Sequence, residues 1–92
     1  MYLDDLRTQI DNIDQQIAKL LDHRLQLCTM IGQAKKQKGL PIENNSREKE
    51  ILNNIKKMNL TYTDNIQTIM LSIFKESKDL QNKLKEVTDF DI

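Results

Sequence analysis

Ninety-two residues suffice for one small domain and are too few for two. Fourteen Lys and Arg balance fourteen Asp and Glu, so a formal net charge of zero offers no basic field to nucleic acid. Two Gly, one Pro and one Cys leave no phosphate-cradling loop, no hairpin dipeptide, no internal disulfide and no thiolate metal cage.

The chain opens on Met1-Tyr2-Leu3-Asp4-Asp5, acidic and helical in pattern, unlike the basic-then-apolar start of a signal peptide. A strict heptad follows. Leu3, Ile10, Ile17, Arg24, Ile31 and Lys38 share one position, and Leu6, Ile13, Leu20, Leu27 and Ala34 the other. This is a sustained apolar seam, so a single helix is predicted over about 3–38. Gly39 suits a left-handed cap, Pro41 follows, and Lys35, Lys36 and Lys38 crowd the last turn, where cations offset the helix dipole. Gly32 is a weak point that costs about 1 kcal/mol against Ala. Such a helix is roughly 54 Å long, whereas a compact chain of this size has a radius of gyration of about 12 Å. The seam therefore overhangs its own chain, and an oligomer is expected to cover it.

A loop at Glu43–Asn45 leads to a second helix predicted over about 46–58, with Asn45 as cap, Glu48 as its capping-box acid, and Ile51, Leu52, Ile55 and Met58 as the apolar stripe. Thr61 with Asp64 repeats the capping signal. A third helix is predicted over about 62–87, striped by Ile66, Ile69, Met70, Ile73, Leu80, Leu84 and Val87. The tail from Asp89 is expected to fray. No apolar run approaches a membrane span. Residues 1–92 thus read as one all-α, three-helix domain, expected in the cytoplasm.

Polar residues that interrupt the stripes carry the functional signal. Arg24 stands mid-seam where Ile or Leu belongs; a buried guanidinium needs an anion, unless it marks an oligomer register. Lys35 faces within about 20° of it and roughly 16 Å further along, so the two can grip a small dianion. Taken alone, Lys35 is an ordinary helix-end lysine. Asn44, Arg47, Glu48 and Ile51 share one face of the second helix, a pattern that also suits ordinary surface charge. Ser77 takes an apolar slot in the Met70–Ser77–Leu84 line, with Gln81 one turn beyond. His23 and Cys28 lie beside the seam without a recognisable acid or base partner. The Lys75–Lys85 series, broken by acids, reads as a solvated face.

In order and spacing, Leu6-Arg7, Ile13-Asp14, Leu21-Asp22-His23-Arg24, Gly32-Gln33-Ala34-Lys35, Ser46-Arg47-Glu48-Lys49 and Glu76-Ser77-Lys78-Asp79-Leu80-Gln81 resemble the all-helical AroQ class of chorismate mutases. The resemblance covers about Leu3 to Leu84 and implies an intertwined homodimer of three-helix chains. It implies an isomerase that converts chorismate to prephenate by a Claisen rearrangement in phenylalanine and tyrosine synthesis, with no metal or other cofactor. By that resemblance Arg7, Arg24, Lys35, Asn44, Arg47, Glu48, Ser77 and Gln81 bind substrate. Arg24 with Ser77, and Arg7 from the partner chain, hold the two carboxylates, and Arg47 supports the cationic cluster. Lys35 and Gln81 donate to the ether oxygen, and Glu48 takes the ring hydroxyl. Asn44 departs from the Asp of many relatives. Isochorismate-pyruvate lyase shares this fold, and Glu48 favours the mutase over it. A non-turnover helical scaffold or sensing domain has no need of Arg24 in the seam.

Overall fold

The computed structural model describes residues 2–90, with side chains described as far as Leu84. It contains α1 (Tyr2–Lys38), α2 (Asn45–Lys56) and α3 (Thr63–Phe90), and no strand among the described residues. The heptad sets α1, which spans the molecule: the extents are 60 × 28 × 15 Å and the radius of gyration is 16.9 Å. Gly39 ends it at φ +69°, with Gly39 N–H donating to Lys36 O at 3.1 Å and Leu40 N–H to Lys35 O at 2.8 Å. Those two bonds satisfy carbonyls the helix leaves open.

The caps of the other helices differ from the sequence expectation. Asn44, not Asn45, caps α2, its side chain accepting from Arg47 N–H at 3.1 Å. Adjacent asparagines offer the same chemistry, and backbone geometry selects between them. Glu48 thus lies four residues beyond the cap instead of three, so it forms no capping box and is available elsewhere. The helix also ends at Lys56, short of Met58, where Asn59 turns the chain at φ 54°. α3 starts at Thr63, whose hydroxyl donates to Leu60 O at 2.9 Å; Thr61 plays no capping part. α3 then runs past Val87 to Phe90. The side chain of Val87, and Asp91 and Ile92, lie outside the described residues.

α3 is the common support. Both α1 and α2 pack against it and not against each other, which leaves a trough between them with α3 as its floor. Only Cys28 and Phe74 are buried apolar side chains among the described residues. The outer half of α1 packs on nothing: Leu3, Ile10, Ile17 and Leu20 are about half exposed or more.

Candidate active site

Gly32 governs how closely α3 approaches α1. A Cβ built there would lie 2.8 Å from Gln81 Cγ, 3.2 Å from its Cβ and 3.5 Å from its Cα. The bare glycine lets buried Gln81 reach across and donate from Nε2 to Cys28 O at 2.9 Å. One amide hydrogen is thereby fixed on the α1 backbone, and the second is left to face the trough.

Arg24 lies one turn before Cys28. Its Nη1 donates to Ser77 Oγ at 2.9 Å, and its guanidinium carbon sits 5.8 Å from the Phe74 ring centre. Ser77 in turn donates to Ile73 O at 2.8 Å. The serine lone pairs and the ring face therefore hold the guanidinium in place without neutralising it. Lys35 Nζ donates to Ile42 O at 2.8 Å, which uses one of its three donors. Among the described residues no carboxylate comes within ion-pair distance of Arg24 or Lys35. Two cations thus share one trough with no ion-pair partner of their own among the described residues.

The trough is a cleft of about 250 Å³. It gathers Arg24, Lys35, Asn44, Arg47, Glu48, Ser77 and Gln81 from all three helices and the α1–α2 connection. Its apolar lining comes from Leu27, Ile31, Ile42, Ile51 and Phe74. Arg47 pairs outward with Glu50 at 2.8 Å and is more than half exposed. Arg7 is not brought there. It lies exposed on the outer arm of α1, about 25 Å from Arg24 along the helix axis.

Lys78 also lines the cleft, although it reads in the sequence as part of a solvated series. Its Nζ bridges Glu43 Oε1 at 3.1 Å and Glu48 Oε2 at 3.2 Å. Those hydrogen bonds, Glu43's first and Glu48's second, hold the ammonium above its ordinary value of 10.5 against partial desolvation. The ammonium is therefore charged at neutral pH, and it gives up its proton only as pH climbs through that raised value. The available signal was spacing: Lys78 follows Phe74 by four residues and precedes Gln81 by three, on one helix face.

No group of three His, Cys, Asp or Glu among the described residues is placed to hold a metal ion, and no helix there is long and apolar enough to cross a membrane. What the cleft offers is fixed donors and positive charge for a small anionic ligand with a hydroxyl.

Comparison with known proteins agrees. The chain is 35% identical over 89 residues to a chorismate mutase of Methanocaldococcus jannaschii, covering 94% of this chain and 90% of that protein. It is 36% identical over 76 residues to a bifunctional chorismate mutase/prephenate dehydratase of Aquifex aeolicus. That match takes in 80% of this chain and 21% of the relative, so the chain spans about a fifth of the longer protein. A conserved hypothetical protein from Pyrococcus furiosus has a similar structure, with a TM-score of 0.76 and 38% identity over 88% of this chain and 96% of that one. Residues 6–82 match the family described as chorismate mutase type II. On that match, and on the near full-length identity to the Methanocaldococcus enzyme, the chain belongs to the type II chorismate mutase family.

Proposed function

We propose that this chain converts chorismate to prephenate as a homodimer, each cleft completed by Arg7 of the second copy. The observation that carries the reading is the pair of uncompensated cations, Arg24 and Lys35, with the Gln81 amide in one cleft. Chorismate is a dicarboxylate that supplies the missing negative charge. Its rearrangement is intramolecular: the ether C–O bond breaks as a C–C bond forms, and electrons move in one cycle. Nothing is added and nothing leaves, so neither a nucleophile nor a cofactor is called for.

Two tasks remain for the protein. The first is to hold the bound molecule in its compact reactive conformer, which removes an entropic part of the barrier. Arg24, oriented by Ser77, binds one carboxylate, and the partner's Arg7 supplies a charge-assisted bond to the other. Arg47 adds positive potential at the mouth. Glu48 accepts from the ring hydroxyl, and Asn44, whose Oδ1 is committed to the α2 cap, can meet that hydroxyl through its Nδ2.

The second task is electrostatic. The ether oxygen gains negative charge as its bond to carbon lengthens. Donors aimed at it in advance stabilise the transition state more than the ground state. Lys35 has donors left after its bond to Ile42, and Gln81 has its second amide hydrogen. The Cys28 carbonyl keeps that amide from rotating away.

The cross-chain arginine is supported by reach and by exposure. Arg7 and Arg24 are too far apart in one chain for one small ligand, and an antiparallel copy would set its Arg7 beside the other's Arg24. The bare stripe Leu3–Leu20 is continuous with Leu27 and Ile31 of the cleft wall. Loss of chorismate absorbance with prephenate identified as product tests the reaction, and chelator-treated enzyme is expected to keep full activity. Pyruvate release from isochorismate without prephenate from chorismate would overturn it.

A further inference from the structure

Lys78 has no role in the reaction proposed for the cleft, yet it is the one cation of the cleft paired to acids on other elements. It reaches from α3 to two acids on other elements: Glu43 in the α1–α2 connection and Glu48 in the first turns of α2. Glu48 is the less exposed of the two, at 24% against 58% for Glu43. Only Oε2 of Glu48 is engaged by Lys78. We propose that Lys78 is a positioning residue that fixes the Glu48 carboxylate by one oxygen, balances its charge, and presents the other oxygen to the ligand's hydroxyl.

α2 packs on α3 and not on α1, which fixes the backbone of Glu48 over the α3 floor but not the direction of its carboxylate. A short ion pair from α3 does set it, and the second bond to Glu43 keeps the ammonium from following the ligand's carboxylates. The charges that surround the pair are Arg24 and Lys35 from α1, Glu43 from the connection, Arg47 from α2 and Lys78 itself from α3. A ligand with two carboxylates, held by Arg24 and the partner's Arg7, repels an unbalanced Glu48. Lys78 removes that repulsion while leaving Glu48 able to accept a hydrogen bond.

The proposal rests on the reading of Glu48 as the hydroxyl acceptor, and two measurements separate its failure from the failure of that reading. The first needs no substrate. In protein carrying 13C-labelled lysine, the Cε resonance of Lys78 is expected to titrate above the ordinary lysine value. Glu43→Gln and Glu48→Gln are each expected to bring it down, because each removes a hydrogen bond that favours the ammonium. If Glu48→Gln leaves the Lys78 titration where it was, the pair does not exist and the proposal is overturned, whatever the enzyme turns over.

The second is a kinetic cycle with chorismate. Lys78→Met is expected to lower kcat/KM roughly tenfold by loosening Glu48, with the melting temperature nearly unchanged because the pairs are part-exposed. Lys78→Arg restores most of the loss. In a Glu48→Gln background, with no charge left to balance, Lys78→Met is expected to change kcat/KM less than about twofold. The same tenfold loss in both backgrounds would mean that Lys78 touches the ligand or only ties the fold together, and would overturn the positioning role. Wild-type protein inactive on chorismate would instead sink the functional reading, and the lysine titration would still decide whether Lys78 holds Glu48.

Discussion

Gly32→Ala separates helix propensity from tertiary fit at one atom. In an isolated helix the change gains about 1 kcal/mol. Here the added carbon would meet Gln81 Cγ at 2.8 Å and Cβ at 3.2 Å. Rotating the far end of Gln81 relieves the first contact and not the second, and the α3 backbone behind it is only 3.5 Å away. So either α3 retreats by a few tenths of an ångström or the glutamine leaves Cys28 O. Overpacking of this kind costs about 1–3 kcal/mol. The two terms nearly offset, and net stability is expected to fall by no more than about 2 kcal/mol.

Activity has no such compensation. The amide proposed to face the ether oxygen is displaced, and misplacing a catalytic group by about 1 Å can cost on the order of 10²-fold. Urea unfolding beside steady-state rates on chorismate checks both halves, with most of the loss expected in kcat. A Gly32→Ala protein that is stabilised by about 1 kcal/mol and fully active would refute the close approach and the fixed amide together.

Gln81→Glu is expected to be poor at neutral pH, where a carboxylate repels both the ether oxygen and the Cys28 carbonyl, and to recover as acid protonates it. Burial raises that carboxyl's pKa while Arg24 and Lys35 lower it, and a variant as fast as wild type at pH 8 would remove Gln81 from the ether contact. Arg24→Leu leaves Ser77 bonded to Ile73 O, so its thermal stability is expected to match or exceed wild type while activity drops about 10²-fold or more; unfolding with only proportionate loss would make Arg24 structural. Arg7→Ala and Arg24→Ala are each expected to be nearly inactive, and refolding them together should restore roughly a quarter of wild-type activity, since half the dimers are mixed and half their sites whole. Confirmed heterodimers without that gain would place Arg7 outside the site.

Periodicity made most of the fold legible. The seam fixed the long helix, Gly39 its end, and the overhang the need for a covering surface. Local chemistry misassigned the α2 cap, because Asn44 and Asn45 differ only in the backbone angles the turn imposes, and it set the start of α3 too early. Gly32 read as a defect because propensity is a one-helix quantity, and its reason is the neighbouring helix. Lys78 was hidden by its company: in a series of alternating charge nothing in composition tells a paired lysine at a cleft from a solvated one. The cleft residues other than Arg24 were legible through the family resemblance, not through spacing, since each alone suits an ordinary surface.

Stability and function meet on one stripe of α1. A chain with Cys28 and Phe74 as its buried apolar side chains among the described residues has little core of its own, and burial of apolar surface is the main favourable term in folding. The exposed stripe from Leu3 to Leu20 is carried on, past Arg24, by Leu27 and Ile31, which wall the cleft. Arg24 sits at the junction. In the proposed dimer the copy that buries the stripe therefore also closes the cleft over Arg24, excludes water from it and delivers Arg7. A guanidinium in an apolar seam is costly as packing. At the one position where the seam becomes the wall of the proposed anion site, that cost is offset by the ligand Arg24 is proposed to hold.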